Sequence, residues 1–234
     1  MCAAVATRSG EVLNDSYELV ELARVEGGVE VYRAIDRKTR TDVRVKVVRP
    51  ELALKGAVVS AFLQGPRTLE RLRHTSLPRV RVDTDETGIP FVVEELIAGR
   101  PLRELLQSHV QGMPLGMVTH IFSPLCGALA EAHAVGLVHG AIDADRVCLL
   151  GDGSSLAPKL LELGIPAGQR EAQAPGYRAP ELPGGSDGTK AADVFALGVL
   201  LYVMLSGEAP FVTPKSVAVP LDEIAPHLPP TWVE

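Results

Sequence analysis

Two kinds of sequence pattern divide this chain near residue 96. Before that point, apolar and polar residues alternate over short Val-rich stretches, which is typical of half-buried β-strands. After it, longer stretches carry apolar residues at helical spacing and are joined by Gly-rich connections. Strands around one early helix, followed by a mostly helical half, predict an α+β protein with two lobes.

The predicted boundaries follow from these patterns. We predict a flexible leader over residues 1–15, a small β-rich N-lobe over 16–96 and a mostly helical C-lobe over 97–234. The predicted strands are Tyr17–Leu22, Val29–Asp36, Thr41–Val48, Val80–Asp83 and Phe91–Glu95. The predicted helices are Val58–Arg73, Leu102–His109, Met117–Ala134 and Ala192–Ser206.

Two places break the regular patterns. Gly65 and Pro66 lie inside the first predicted helix, and a proline in a helix interior costs about 3 kcal/mol. We therefore predict that this helix restarts with Pro66 in its first turn. The tail from about residue 213 is rich in proline and weakly periodic, so we predict a loop there and a C-lobe that is incomplete at its C-terminal end.

Composition excludes several kinds of function. The net charge is −6, so electrostatics give no argument for binding nucleic acid or an anionic membrane. The three cysteines are far apart and odd in number, which argues against a zinc site and a disulfide framework. The longest apolar run, Val194 to Leu205, is shorter than the roughly 20 residues that span a bilayer. We expect no nucleic-acid partner, no membrane segment in this chain and a cytoplasmic location.

A series of short motifs occurs in a fixed order along the chain. Together they resemble the motifs of bacterial Ser/Thr protein kinases, in register and at the family's spacing, over about residues 17–212. The resemblance implies a two-lobed protein-kinase-like fold. The matching stretches are Glu30–Ala34, Val45–Val47, Ala132–His133, the loop that begins at His139, Pro175–Glu181 and Asp193–Gly198.

The loop from His139 to Arg146 matches the kinase catalytic loop, which has the sequence H-R-D-x-x-x-x-N. In the family the Asp accepts the substrate proton and the Asn binds a magnesium ion. Here Ala141 replaces the Asp and Arg146 replaces the Asn, so neither side chain can perform that role. Asp143 replaces a lysine and brings negative charge to the place where the γ-phosphate needs a positive one.

The second metal-binding position of the family is altered too. Residues 161–164 match the D-F-G segment. Glu162 replaces its Asp, and Gly164 retains its Gly. Glu162 alone is a weak candidate for a magnesium ligand, but Arg146 should repel the ion. We predict instead that Arg146 and Glu162 form an ion pair where the family holds magnesium. The competing possibility is that Glu162 turns to Lys46 while Arg146 points to solvent.

The nucleotide-binding motifs are also degraded. Lys46 matches the lysine that contacts the ATP phosphates, but the helix Glu that holds it is replaced by Gly65, and Glu70 should face elsewhere. Two interpretations of Lys46 stay open: a residual nucleotide contact, or a lysine paired with another acid such as Glu162. Glu94 lies where an apolar side chain usually gates the adenine pocket, and a buried carboxylate needs a partner.

The glycines of the nucleotide loop align with Arg24, Glu26 and Val29, and we favour a role for Gly27 and Gly28 as a simple link between two strands. No cofactor is therefore expected, although ATP bound without metal is an option.

The regulatory segment of the family lacks its switch here. From Ile165 to Arg178 the sequence contains no Ser or Thr, and Gly140 replaces the arginine that pairs with a phosphorylated segment. The matches that remain are the ones that brace the helical lobe in the family: His139, Gly164, Glu181 and Asp193. Asp193 should accept hydrogen bonds from backbone amides near the catalytic loop, and Glu181 should seek a buried arginine.

The chain is thus identified as a degenerate member of the family, a pseudokinase. The function implied is binding or scaffolding of an unidentified protein partner, without phosphotransfer. Two alternatives are a weak or unconventional Ser/Thr kinase that uses Lys46 and Glu162, and a nucleotide-sensing module that needs no metal.

Overall fold

The computed structural model of the protein describes residues 8–26, 28–165, 172–182, 188–211, 217–226 and 228–229. The chain separates into two compact units. The N-terminal unit comprises Met1–Arg73 and Pro78–Leu96, and the C-terminal unit comprises His74–Leu77 and Ile97–Glu234. Residues 74–77 thus belong to the second unit, although they lie within the sequence range of the first.

The N-terminal unit contains a six-stranded antiparallel sheet. Residues 29–36 and 41–48 form strands with the bounds predicted from alternation. The other strands are longer than predicted by one to four residues, or were not predicted. In chain order the strands are β1 (Val12–Leu13), β2 (Tyr17–Glu26), β3 (Val29–Asp36), β4 (Thr41–Val48), β5 (Val80–Thr84) and β6 (Pro90–Glu95). Their order across the sheet is β1-β2-β3-β4-β6-β5.

One face of this sheet carries the core of the N-terminal unit. Alternate residues of β4 and β6 are buried on that face, because successive side chains of a strand point to opposite sides. Tyr17 and Phe91 meet there edge to face, with ring centroids 6.0 Å apart. The cluster consists of Leu13, Tyr17, Leu19, Tyr32, Ala34, Val43, Val45, Val47, Phe91 and Val93.

The predicted flexible leader is wrong over its described part, residues 8–15. Leu13 is buried in the core, and Val12–Leu13 pairs with β2. The backbone N–H of Arg8 donates to the Tyr32 hydroxyl (3.0 Å), and the Arg8 guanidinium binds the Asp85 carboxylate (3.0 Å). A single apolar residue and a long-range ion pair fix this segment, and neither gives a periodic signal in the sequence. Residues 1–7 lie outside the described part of the chain.

The predicted restart of the first long helix at Pro66 is also wrong. A single helical turn, α1 (Pro50–Ala53), precedes α2, which runs without interruption over Gly56–Leu69. The Pro66 carbonyl still accepts a hydrogen bond from the Glu70 N–H (2.8 Å), so the helix continues past the proline. Burial of Leu63, Gly65 and Leu69 on one face of α2 provides the tertiary packing that outweighs the lost backbone bond.

The C-terminal unit is mostly helical, with one small sheet. Antiparallel strands β7 (Arg100–Pro101), β8 (Val147–Leu150) and β9 (Ala157–Leu160) form the sheet, and a 3₁₀ turn spans Gly153–Ser155. The helices are α3 (Leu102–Gln107), α4 (Leu115–Ala134), α5 (Lys190–Ser206) and α6 (Leu221–Ile224).

Helix α5 is apolar on nearly every side and has clear capping signals. The Thr189 hydroxyl accepts a hydrogen bond from the Ala192 N–H (3.1 Å) at its start. Gly207, with φ of 79°, ends it in the left-handed conformation that favours glycine. These caps explain why α5 begins two residues before the predicted Ala192 and ends at the predicted Ser206.

Helix α4 is the one candidate for a membrane segment among the described residues. It has 20 residues and is apolar enough, by length and composition alone, to cross a bilayer. This is weak evidence, since the core helix of a soluble protein meets the same criteria. The face of α4 that is buried within the unit consists of Val118, Ile121, Leu125, Ala128, Leu129 and Ala132.

The tail from about 213 contains more structure than the predicted loop. Helix α6 lies in it, Ala225 and Leu228 are buried, and the Tyr202 hydroxyl donates to the Val219 carbonyl (2.8 Å). Prolines at the start of the helix and after it hid this element, because the apolar residues between them are too few to show a period. Residues 212–216, 227 and 230–234 lie outside the described part.

Candidate functional site

His139 anchors the loop that the sequence singled out, between α4 and β8. Its ring is fully buried, and Nε2 donates to the Leu161 carbonyl (2.8 Å). The Ala141 N–H donates to Nδ1 (3.3 Å). Both contacts require the tautomer in which Nε2 carries the proton and Nδ1 is the acceptor. Because Leu161 precedes Glu162, this contact sets the position of the loop relative to the segment that carries the acid.

Asp193, on α5, binds the backbone of the loop that begins at His139. Its carboxylate is buried and accepts hydrogen bonds from the backbone N–H groups of His139 (2.8 Å) and Gly140 (2.6 Å). His133 donates a third bond through Nε2 (2.8 Å). This is the amide-capping contact that the resemblance implies, and hydrogen bonds to a charged acceptor are the stronger kind.

Two glycines approach each other closely next to this anchor. Gly140 has φ of 71° and Gly188 has φ of 95°, both in the left-handed region. A Cβ placed on Gly188 would lie 2.5 Å from the Gly140 Cα, which is closer than real Cβ contacts come. The backbone of residue 188 therefore packs directly on the position where the family carries its arginine.

Asp143 is a structural group in this loop and not an exposed charge. It is almost fully buried, and its Oδ1 accepts from the backbone N–H groups of Asp145 and Arg146 (3.1 Å each). Its Oδ2 accepts from the Ala174 N–H (3.0 Å) and from Arg146 Nη1 (2.5 Å). Ala141, two residues earlier, is buried and offers only a methyl group.

Arg146 lies between two carboxylates. Its Nε donates to Glu162 Oε2 (2.9 Å), and its Nη1 contacts Asp143, so one guanidinium serves both acids. The Arg146 side chain is only 7% exposed, whereas that of Glu162 is 34% exposed. The predicted Arg146–Glu162 ion pair is therefore present, and Arg146 does not point to solvent. Asp143 was not predicted to take part.

Magnesium favours oxygen ligands, and the Arg146 guanidinium already binds one carboxylate oxygen of Asp143 and one of Glu162. Glu162 has φ of 65°, an uncommon conformation for a residue with a side chain. Among the residues that the structure describes, no group of three or more His, Cys, Asp or Glu side chains is placed to hold a metal ion.

Lys46 lies in the N-terminal unit, on β4. Its Nζ donates to Glu94 Oε1 on β6 (2.6 Å), so the acid that pairs with it is Glu94 and comes from a neighbouring strand. Glu70 on α2 accepts a hydrogen bond from the Val82 N–H (3.1 Å) and faces elsewhere, as expected. Gly65, at the position of the family's helix Glu, is buried.

The counterpart of the nucleotide loop is a tight strand connection. Strand β2 continues to Glu26 and β3 begins at Val29, so Arg24 lies within the antiparallel pair, directly after a register shift between Leu22 and Arg24. Gly28 has φ of 86° in the connection, and Gly27 lies outside the described residues. Gly28 thus lies in the connection between two strands, as expected under either interpretation.

Gln173 and Ala174 tie the segment after Glu162 to the loop by hydrogen bonds. The side-chain amide of Gln173 donates to the carbonyls of Ile142 (2.8 Å) and Tyr177 (3.1 Å), next to the Ala174–Asp143 bond. Burial raises the pKa of the Tyr177 hydroxyl well above its ordinary value, and the charges of Asp143 and Asp145 raise it further. Glu181 is exposed, and residues 166–171 lie outside the described part.

Comparison with known proteins gives a family model, the protein kinase domain, that matches residues 26–225. The chain belongs to the protein kinase family. It is 29% identical over 227 residues to the serine/threonine-protein kinase PknL of Mycobacterium tuberculosis, covering 93% of this chain and 56% of that protein. It is 33% identical over 181 residues to the serine/threonine-protein kinase PkaA of Streptomyces coelicolor, covering 72% of this chain and 33% of that one.

The solved structures agree with the predicted fold class. The crystal structure of the Mycobacterium tuberculosis PknI kinase domain matches with a TM-score of 0.64 at 25% identity, covering 95% of this chain and 87% of that domain. The serine/threonine-protein kinase PknB of Mycobacterium leprae is 29% identical over 223 residues, and the matched part is 35% of its length. The chain thus spans about half or less of the curated relatives that it matches, and it has a protein-kinase fold.

Proposed function

We propose that this chain is a pseudokinase domain, which binds a protein partner and transfers no phosphate. The observation that carries the proposal is the position of Arg146, buried between the carboxylates of Asp143 and Glu162. A guanidinium is permanently charged, so the positive charge at that site cannot be removed by deprotonation. The two positions at which the family binds its metal are Arg146 and Glu162 in this chain, and their side chains are paired with each other in the ion cluster.

Side chains at other positions of the family's motifs support the same proposal. Catalysis of phosphoryl transfer rests on metal ions, a phosphate-binding lysine and a residue that orients the nucleophile, and these parts act as a unit. Ala141 provides no proton acceptor, Asp143 is occupied by four hydrogen bonds, and Lys46 is paired with Glu94. The residues present do not fit a magnesium ion, so we derive no catalytic step through one.

A weak or unconventional kinase is the second candidate. It is favoured by the relatives, several of which are serine/threonine-protein kinases at 27–33% identity. This function would require Glu162 to release Arg146 during each turnover. The two candidates therefore differ in a direct measurement of phosphate transfer.

Purified protein incubated with radiolabelled ATP and either magnesium or manganese should incorporate no label into itself or into generic protein substrates. The expected rate is indistinguishable from that of Lys46→Ala, because neither protein can hold the metal–phosphate complex. Incorporation by the wild-type chain that disappears in Lys46→Ala would overturn the pseudokinase proposal and establish the kinase.

Restoring the missing base alone should not create activity. We expect Ala141→Asp to remain at the background of the same assay, because Arg146 still occupies the cluster and Lys46 stays paired. A matched comparison is the triple variant Ala141→Asp, Arg146→Asn and Glu162→Asp, which rebuilds the family's oxygen ligands. Measurable turnover from Ala141→Asp alone would mean that the other substitutions matter less than we propose.

A further inference from the structure

The end of helix α2 begins a stretch of unusual charge. Residues 67–81 contain five arginines, no lysine and one acid, in a chain whose net charge is −6. Arg67, in the last turn, is the only charged residue of Gly56–Leu69. The Arg71 N–H donates to the Thr68 carbonyl (3.2 Å), so the helical course continues to this residue. Arg67 and Arg71 are four residues apart and therefore lie on the same side of α2.

Other groups already perform the structural roles that charged side chains have at a helix end. The Arg73 guanidinium donates to the Glu70 carbonyl and to the Leu72 carbonyl, where it satisfies free acceptors and complements the helix dipole. The Glu70 carboxylate accepts from the Val82 N–H of the sheet (3.1 Å). Capping of α2 therefore needs no further arginine, and the one acid of this stretch has a backbone partner.

Arg67 and Arg71 are exposed and lack an acid of their own. Among the residues that the structure describes, no carboxylate lies within 4.0 Å of either guanidinium. Elsewhere on the surface even an exposed arginine is paired, as Arg33 is with Asp42 (2.9 Å). Two like charges four residues apart on a helix also repel each other, so this pair does not stabilise α2. Both guanidinium groups are thus available to a ligand.

The geometry of the pair selects the kind of ligand. A guanidinium binds a carboxylate through two parallel N–H···O bonds, which a lysine cannot form. An α-helix rises 1.5 Å per residue, so groups four residues apart are separated by about 6 Å along its axis. Side chains on one face of an extended segment recur about every 6.6–6.8 Å. Two acids separated by one residue therefore match the spacing of Arg67 and Arg71.

We infer that Arg67 and Arg71 bind an extended acidic segment of a protein partner, with two carboxylates separated by one residue. The solvent side of α2 continues through the exposed, uncharged Gln64 and Ser60, so no acid of the helix opposes such a segment. A nucleic acid is disfavoured, because the net charge of −6 repels a long polyanion. The inference rests on the proposed function for the existence of a protein partner, and it adds the surface and the chemistry of contact.

A short synthetic peptide in which glutamate and serine alternate tests the inference, by ¹H–¹⁵N NMR titration of the full chain at low ionic strength. The side-chain Nε–H signals of Arg67 and Arg71 should shift together with the backbone amides of residues 64–73. The double variant Arg67→Gln with Arg71→Gln should bind about fivefold more weakly, because two exposed ion pairs are lost. The double lysine variant keeps the charge and should bind about twofold more weakly, because it lacks the planar fork.

The matched control removes the same charge from another exposed site. Arg37→Gln with Lys38→Gln alters the turn between β3 and β4, and should bind the peptide like the wild type. Equal weakening in the two glutamine variants would overturn the inference, as would shifts without a focus at 64–73. Equal binding of a peptide with glutamine in place of glutamate would overturn it too.

Two further arms separate this inference from its rivals. Vesicles of phosphatidylglycerol that shift the Arg67 and Arg71 signals, when the glutamate peptide does not, would assign the surface to a membrane and overturn the inference. The wild-type titration needs no variant, so the test stands even if circular dichroism shows a variant to be unfolded. Phosphate transfer by the wild-type chain would overturn the proposed function and leave peptide binding standing, whereas failure of the peptide to bind would overturn this inference alone.

Discussion

Replacing Arg146 with alanine should lower the free energy of unfolding by about 3–5 kcal/mol, because it leaves the buried Asp143 carboxylate without its charged partner. The side chain is 7% exposed and contacts Asp143 at 2.5 Å and Glu162 at 2.9 Å. The loss is expected to come mainly from Asp143, since Glu162 reaches solvent and can rehydrate. Urea denaturation followed by circular dichroism measures the change.

A matched control for this variant is Arg103→Ala. Arg103 Nε lies 2.7 Å from Asp145 Oδ1, but the two side chains are 60% and 42% exposed. An exposed pair of this kind contributes about 0–1 kcal/mol, so the two arginine variants should differ by several fold. Equal effects would contradict the assignment of Arg146 to a buried cluster. Combining Arg146→Ala with Asp143→Asn should cost less than the sum of the single variants, because the stranded charge is then absent.

Replacing Asp193 with alanine should cost at least about 3 kcal/mol of unfolding free energy, since three donors lose a buried charged acceptor. Those donors are the backbone N–H groups of His139 and Gly140 and the His133 ring, at 2.6–2.8 Å. Asp193→Asn keeps one acceptor oxygen and should give a smaller loss. Urea denaturation again provides the measurement.

Hydrogen exchange locates the effect of Asp193→Ala within the molecule. The amides of residues 139–146 should exchange faster in this variant, because the loop loses its support from α5. Asp145→Ala is the control, since Asp145 is an exposed acid in the same loop with a surface partner. Similar exchange in the two variants would show that Asp193 does not hold the loop.

Elements with strong periodic patterns were predictable from the sequence. Strands β3 and β4 have the predicted bounds because Val-rich, partly alternating sequence between turn residues is typical of a strand. The uninterrupted course of α2 past Pro66 was not predictable, because burial of Leu63 and Leu69 outweighs the local effect of the proline. The paired segment around Leu13 was missed because two residues are too few to show alternation.

The candidate site shows the same division. The Arg146–Glu162 pair followed from the resemblance and from the complementary shapes of a guanidinium and a carboxylate. Asp143 was expected to affect a phosphate, yet it binds the N–H of Ala174, which is 31 residues away in sequence. Glu94 was recognised as needing a partner, but its pairing with Lys46 depends on the register of β4 and β6, which the sequence does not encode locally.

The close approach of Gly140 and Gly188 limits whether phosphorylation-dependent control of the family's kind could be introduced into this chain. Such control requires an arginine at position 140, where a non-glycine residue would incur about 1–2 kcal/mol for its left-handed backbone. Position 188 cannot gain a Cβ while its neighbour keeps the present path. Single substitutions at either position would therefore be disfavoured, and a joint rearrangement of two backbone segments would have to come first.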